Sequence, residues 1–114
     1  MGFFERLKLR TIWSCDGIRD TWLTERSFRQ WVWANIVSGG LGFVLLDGGE
    51  RALILVLGLM VLVVELLNTA VERTVDLVSL DRSDLAKQAK DAASGAVMLS
   101  AIAVGVAWVV VLVG

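Results

Sequence analysis

The segment ALILVLGLMVLVVELLNTAVERTVD, Ala52 to Asp76, begins as a run of membrane-grade apolar residues and ends in acids. Its last part, VELLNTAVERTVD from Val64 to Asp76, carries Glu65, Asn68, Glu72 and Asp76. A helix advances about 100° per residue, so these four fall at about 0°, 300°, 340° and 20°, a sector of roughly 80°. A solvated helix end accounts for Asp76 and in part for Glu72. It does not account for Glu65, which is flanked by Leu62, Val63, Val64, Leu66 and Leu67. An ionisable side chain at that depth is costly in lipid and by default marks a functional interior.

The composition around this segment is that of a membrane chain. Of 114 residues, 56% are hydrophobic, and proline, histidine and tyrosine are absent. A soluble bundle needs helices apolar on one face only, whereas ALILVLGLMVLVV and AIAVGVAWVVVLV are apolar all round. Spans are therefore expected at 31–46, 52–72 and 91–113, the first of them short for the usual span of about 20 residues. Residues 1–30 spread charge throughout and lack the apolar core of a cleaved signal peptide. They read as one or two amphipathic helices on the membrane surface, with Phe3, Phe4, Leu7, Ile12, Trp13, Ile18, Trp22, Leu23 and Phe28 towards lipid. Tryptophans at 13, 22, 31 and 33 suit the interface. The whole chain thus reads as one all-α integral membrane domain.

Lysine and arginine set the orientation. Arg6, Lys8, Arg10, Arg19, Arg26 and Arg29 precede the first span, and Arg73, Arg82, Lys87 and Lys90 follow the second, while the connection DGGER holds only Arg51. The positive-inside bias places the N-terminus and the Glu72–Lys90 region in the cytoplasm and the C-terminus outside. The second connection is expected around SLDRSD, Ser79 to Asp84, where Ser or Asp can cap the next helix. The net charge of −1 reflects these positional basic residues, and no nucleic-acid partner is expected. Cys15 is alone, so no disulfide within one chain can form.

The polar residues gather at one level. LAKQAKDAASGAV opens the third span with Lys90 and Ser94 on one face and Asp91 beside them, at the depth of the carboxylates. Its small residues Ala92 to Ala96 also serve close helix packing. Glu25, Arg29 and Gln30 arrive just before the first span, where Glu25 and Arg29 are also spaced for an i, i+4 ion pair. Without histidine or clustered cysteine, zinc and copper are poor fits, whereas carboxylates with amide and hydroxyl oxygens suit magnesium, which sits on one or two carboxylates plus substrate phosphates. A carboxylate base, carboxylates for a metal and a lysine for phosphate oxygens are the parts of phosphoryl transfer. The glycines of SGGLGFVLLDGGE are followed by no GK[ST] and read as packing and turn residues.

These motifs resemble a known family. ELLNTAVERTVD is similar to the motif E-x-x-N-[ST]-A-[IV]-E-x-x-[VI]-D of the small prokaryotic diacylglycerol kinases, and AKQAKDAASGAV contains their A-K-D-x-[AG]-[SA]-[AG]-A-V. TERSFRQ looks like their N-E-x-x-F-R with Thr24 for Asn. The resemblance covers nearly the whole chain. It implies a homotrimer of three-span subunits with active sites shared between neighbours at the cytoplasmic surface of the bacterial inner membrane, transferring the γ-phosphate of MgATP to a lipid hydroxyl. It also implies that Glu65 is the general base and that Glu25 and Glu72 hold Mg2+. Asn68, Asp76, Lys90 and Asp91, with Arg6, Trp13, Ser14 and Gly17 more loosely, would bind ATP. Arg29, Gln30 and Ser94 would lie near the lipid head.

Two departures bear on the lipid. Trp31 follows Gln30 where the pattern F-R-Q-E has a carboxylate, and NTAVERTVDLVS also looks like the branch that phosphorylates undecaprenol. Diacylglycerol is the expected acceptor and undecaprenol the alternative, because apolar contacts discriminate weakly between lipids. Two other classes remain open: a non-enzymatic bundle joined by interhelical hydrogen bonds through Glu65, Asn68 and Glu72, and an ion pathway. The second is disfavoured by the lack of polar residues from Ala52 to Val64.

Overall fold

The computed structural model describes residues 1–78 and 83–114. It contains four helices among the described residues: α1 (Phe3–Thr24), α2 (Arg26–Leu45), α3 (Gly48–Val78) and α4 (Asp84–Val113). Three of the helices start earlier than the apolar runs that announce them, because the polar residues preceding 31–46, 52–72 and 91–113 continue the same helices. Of the connection expected at Ser79 to Asp84, residues 79–82 lie outside the described residues. Its end is a helix cap, as the sequence suggests: the Ser83 hydroxyl accepts a 3.0 Å hydrogen bond from the Ala86 amide, satisfying one of the free donors of α4.

Among the described residues, α3 and α4 are long and apolar enough to cross a membrane. In α2, residues 26–45, the apolar run is diluted by Arg26, Arg29 and Gln30 at one end and by Asn35, Ser38, Gly39, Gly40 and Gly42 further on. The surface as a whole is not that of a water-borne monomer. Large apolar side chains such as Leu59, Leu67, Met98, Leu99, Val109 and Leu112 stand exposed along α3 and α4. So much contiguous apolar area calls for lipid or other protein, and the chain is a membrane protein.

The core is a seam along α3. Its buried residues, Ile54, Gly58, Val61, Glu65 and Thr69, recur every three or four positions and so share one face. That face packs against both α2 and α4. Gly58 leaves room for the Asn35 side chain of α2, whose Oδ1 a Cβ at this position would meet. Deeper contacts between helices include a 2.9 Å hydrogen bond from Trp108 Nε1 to Ser38 Oγ, joining α4 to α2.

The turn between α2 and α3 is tighter than DGGER suggests, since α3 already begins at Gly48, whose φ of +51° falls in the left-handed region glycine tolerates. Arg51 folds back and donates to the carbonyls of Gly42, Phe43 and Leu46, at 3.3, 2.8 and 3.0 Å. A cation thereby closes the negative end of the α2 dipole.

At the other end, α1 and α2 are separated by one extended residue, Glu25, with φ −113° and ψ 109°. This break corrects two expectations. Phe28, expected to face lipid, is only 4% exposed, because the bend turns the first turn of α2 inward and Phe28 shares a groove with Ile18, Trp22, Val32 and Leu62. Glu25 and Arg29 do not form an ion pair: Arg29 Nη1 donates to the Trp22 carbonyl and Glu25 turns towards Arg73 of α3.

Candidate active site

The stripe read from VELLNTAVERTVD splits by burial. Glu65 lies in the seam and is 3% exposed. Asn68 and Glu72 are half-buried, and Asp76 is exposed. Exposure rises along the stripe towards the C-terminal end of α3, where, among the described residues, Asp76 meets α4 only through Lys90. An ionised carboxylate can only accept hydrogen bonds, and Glu65 receives one from Ser27 of α2, Oγ to Oε1 at 2.7 Å. One turn further on, buried Thr69 donates to the Glu65 carbonyl at 3.1 Å.

Glu65, Asn68 and Glu72 open together on a groove of about 640 Å³. Ser27 and Trp31 of α2 form one wall, and Ser94, Val97, Met98, Ala101 and Ile102 of α4 form the other. The α4 wall is polar only at Ser94, nearest the N-terminal end of α4, and apolar from there on. Asn68 Nδ2 donates to Glu72 Oε1 at 3.1 Å, whereas Asn68 Oδ1 is buried without a partner among the described residues. A buried acceptor left without a donor costs about 1–3 kcal/mol. The groove therefore presents carboxylate and amide oxygens, one of them unsatisfied, to whatever enters. Such a donor set fits a hard cation or a hydroxyl proton.

Beyond the groove, Lys90 Nζ bonds Asp76 Oδ1 at 2.5 Å, joining α4 to the end of the stripe. The expected meeting of the lysine with the acids therefore occurs, at Asp76. Asp91, next to it, is paired with Lys87 at 2.5 Å. The Lys87 ammonium is pushed above its ordinary pKa, chiefly by that hydrogen bond and then by the charge of Asp91.

The opposite flank of α3 has a different character. Ser14, Gly17, Ile18 and Thr21 of α1 and Leu66, Thr69, Ala70 and Arg73 of α3 line a second groove of about 470 Å³. Arg73 Nη1 bonds Asp20 Oδ2 at 2.7 Å, and its Nη2 reaches Thr24 Oγ1 at 2.7 Å and Glu25 Oε1 at 3.3 Å. The guanidinium is held above its usual pKa, first by the bond to Asp20 and then by that to Glu25. Every polar group of this knot finds its partner inside the chain.

The chain thus brings together only part of the expected set. Glu65, Asn68, Glu72 and Ser94 line one groove, while Ser14 and Gly17 line the other, with Glu25 beside it through Arg73. Arg6 donates to the Met1 carbonyl, Trp13 is 61% exposed and Gln30 is exposed, none of them on either groove. Among the described residues, no three acidic or cysteine side chains converge as a metal site. The two unforeseen participants are Ser27 and Arg73. Arg73 had a faint signal, as the basic residue next to Glu72, but nothing in TERSFRQ announces a bond from Ser27 to a residue 38 positions away.

Comparison with known proteins fits this site. The family described as prokaryotic diacylglycerol kinase matches residues 12–112. A diacylglycerol kinase of Pseudomonas aeruginosa is 40% identical over 111 residues, covering 96% of this chain and 90% of the relative. That of Escherichia coli K12 is 31% identical over 110 residues with the same coverage, and that of Helicobacter pylori strain 26695 is 34% identical over 100 residues, covering 87% and 78%. On the extent of the match and on the chemistry of the groove, the chain belongs to the prokaryotic diacylglycerol kinase family.

Proposed function

We propose that the protein transfers the γ-phosphate of MgATP to the hydroxyl of diacylglycerol, giving phosphatidic acid and ADP. The observation that carries this reading is the buried Glu65 carboxylate, opening on a groove whose far wall turns from Ser94 to the apolar Val97, Met98, Ala101 and Ile102. A lipid entering from the bilayer would lay its chains along that wall and present its hydroxyl to Glu65. The carboxylate takes the hydroxyl proton as the oxygen attacks the γ-phosphorus, the bond to the β,γ-bridging oxygen breaks, and ADP leaves. A base positioned in this way contributes about 10² to 10⁴ in rate. Arg29, Gln30 and Ser94 would lie about the lipid head.

The nucleotide would approach from the cytoplasm, where Asp76, Lys90 and Asp91 surround the end of the stripe. Lys90 suits phosphate oxygens once it exchanges Asp76 for them. Mg2+ fits the donor set, with Glu72 and the orphaned Asn68 oxygen at one groove and Glu25 contributing from another face. When bound, the ion neutralises charge on the ATP phosphates. Because Ser14, Gly17 and Glu25 stand on the flank of α3 opposite Glu65 and Glu72, a complete site needs the second groove of one subunit beside the first groove of another. This supports an assembly with shared sites, proposed as a homotrimer on the family resemblance, in which α1 lies on the membrane surface and Arg6 and Trp13 close over ATP. In such an assembly α2 completes a three-span subunit in the inner membrane, with the N-terminus cytoplasmic and the C-terminus outside.

The test is transfer of labelled γ-phosphate in mixed micelles containing diacylglycerol, undecaprenol or ceramide, one at a time. Labelled phosphatidic acid in the first is expected. Label in undecaprenol alone would reassign the acceptor, and label in none would remove the kinase reading.

A further inference from the structure

The Ser27 hydroxyl forms the only side-chain hydrogen bond to the Glu65 carboxylate among the described residues, 2.7 Å to Oε1. Ser27 also lines the groove on which Glu65 opens. We infer that Ser27 is the positioning residue of Glu65, pinning one carboxylate oxygen so that the other meets the acceptor hydroxyl. This inference rests on the reading of Glu65 as base.

The physical case has three parts. Glu65 reaches its site through three rotatable bonds, and burial among Val61, Thr69 and the facing helices restrains its stem without fixing the plane of the carboxylate. A hydroxyl donor at Oε1 fixes that plane, and hydrogen bonds to an ionised group are among the stronger ones. Oε2 has no side-chain bond among the described residues and is the oxygen left for the proton.

The position of Ser27 in the chain makes it effective. It stands two residues beyond the break at Glu25, in the first turn of α2, so its placement depends on how α1 meets α2. The break that lets Glu25 reach Arg73 and sends Phe28 inward also directs Ser27 towards α3. A residue that only joined helices would act equally well anywhere along the seam. Ser27 instead bonds the one ionisable group in the seam.

The experiment compares Ser27→Ala, Ser27→Thr and Glu65→Gln with the wild type in detergent micelles, measuring kcat, KM for MgATP and for diacylglycerol, and the melting temperature. Loss of a hydrogen bond to a charged group is expected to lower kcat about ten- to a hundredfold in Ser27→Ala. Both KM values should stay at wild-type levels, and Ser27→Thr, which keeps the hydroxyl, should recover most of the rate. If Ser27→Ala does not assemble, Ser27→Cys supplies a near-isosteric weak donor and the same comparison is made with it.

Wild-type kcat in Ser27→Ala would overturn the inference. So would a rise in KM alone, or a deficit that vanishes when the assay is cooled well below the variant's melting temperature, since that marks simple helix joining. Glu65→Gln separates the two levels of the argument. If it is inactive while Ser27→Ala is normal, only the role of Ser27 fails; if it remains active, the reading of Glu65 fails first.

Discussion

The two flanks of α3 differ in whether their polar groups find partners inside the chain. On one flank Arg73 is matched by Asp20, Thr24 and Glu25, all within 3.3 Å. On the other, among the described residues, Glu65 has one side-chain donor, Glu72 has the Asn68 amide, and Asn68 Oδ1 has nothing. Both flanks lie on the same helix at the same level, so depth does not separate them. A closed set of charges holds elements together. An open set of buried acceptors is tolerated only where something else completes it, because each orphan costs free energy that folding alone does not return.

The sharpest way to break this contrast is Glu65→Gln. The substitution keeps shape and hydrogen bonding while removing the proposed base, and phosphate transfer should fall about a thousandfold with assembly intact. Size-exclusion chromatography and the micelle assay together check it. Full activity would place the chemistry elsewhere.

Next in size is Asn68→Ala, which deletes the orphan acceptor. Transfer at limiting MgATP should drop about tenfold, yet the melting temperature should change little, because losing the unsatisfied buried oxygen offsets losing the bond to Glu72. A joint loss of activity and stability would show that Asn68 is structural after all.

Arg73→Ala tests the closed flank and should do the reverse. The melting temperature should fall while kcat stays within about fivefold of wild type, as expected for largely exposed ion pairs. A deficit as deep as that of Glu65→Gln would show that Glu25 depends on Arg73 to take its place in the shared site. A group whose pKa is raised on folding stabilises the fold at every pH below its unfolded value and loses that contribution as pH rises through the folded one. For Arg73 that window lies above any practical pH, so the gap in melting temperature should be flat from about pH 7 to 10.

The smallest effect is expected from Lys87→Ala. Its partner Asp91 is exposed, and wild-type activity and melting temperature should persist at neutral pH. Its pKa is also raised, so any difference visible at pH 7 should vanish as pH passes about 10.4 and beyond. Thermal melts at pH 7 and 11 check the sign.

Some of the fold could be read from the chain because the signal is local. A charge-free run such as AIAVGVAWVVVLV has no stable place in water, and the all-helical membrane class follows from it. The stripe Glu65, Asn68, Glu72 was legible for the same reason, since helical periodicity is fixed by backbone geometry and needs no neighbour. The cap at Ser83 is likewise a matter of a few adjacent residues. The break at Glu25 was less so: neither glycine nor proline marks it, and it decides that Phe28 turns inward and that Glu25 meets Arg73 rather than Arg29.

The sequence by itself determined the helices, their apolar character and the line of acids, because each depends on residues within a few turns of one another. Tertiary structure alone decided which acid is buried, which are already paired and which remain open to a ligand. Those outcomes depend on contacts across the bundle, Ser27 to Glu65, Arg73 to Asp20 and Lys90 to Asp76, between residues separated by 14 to 53 positions. Spacing along one helix cannot encode the approach of another, and that approach here separates the charges already paired within the chain from those left open.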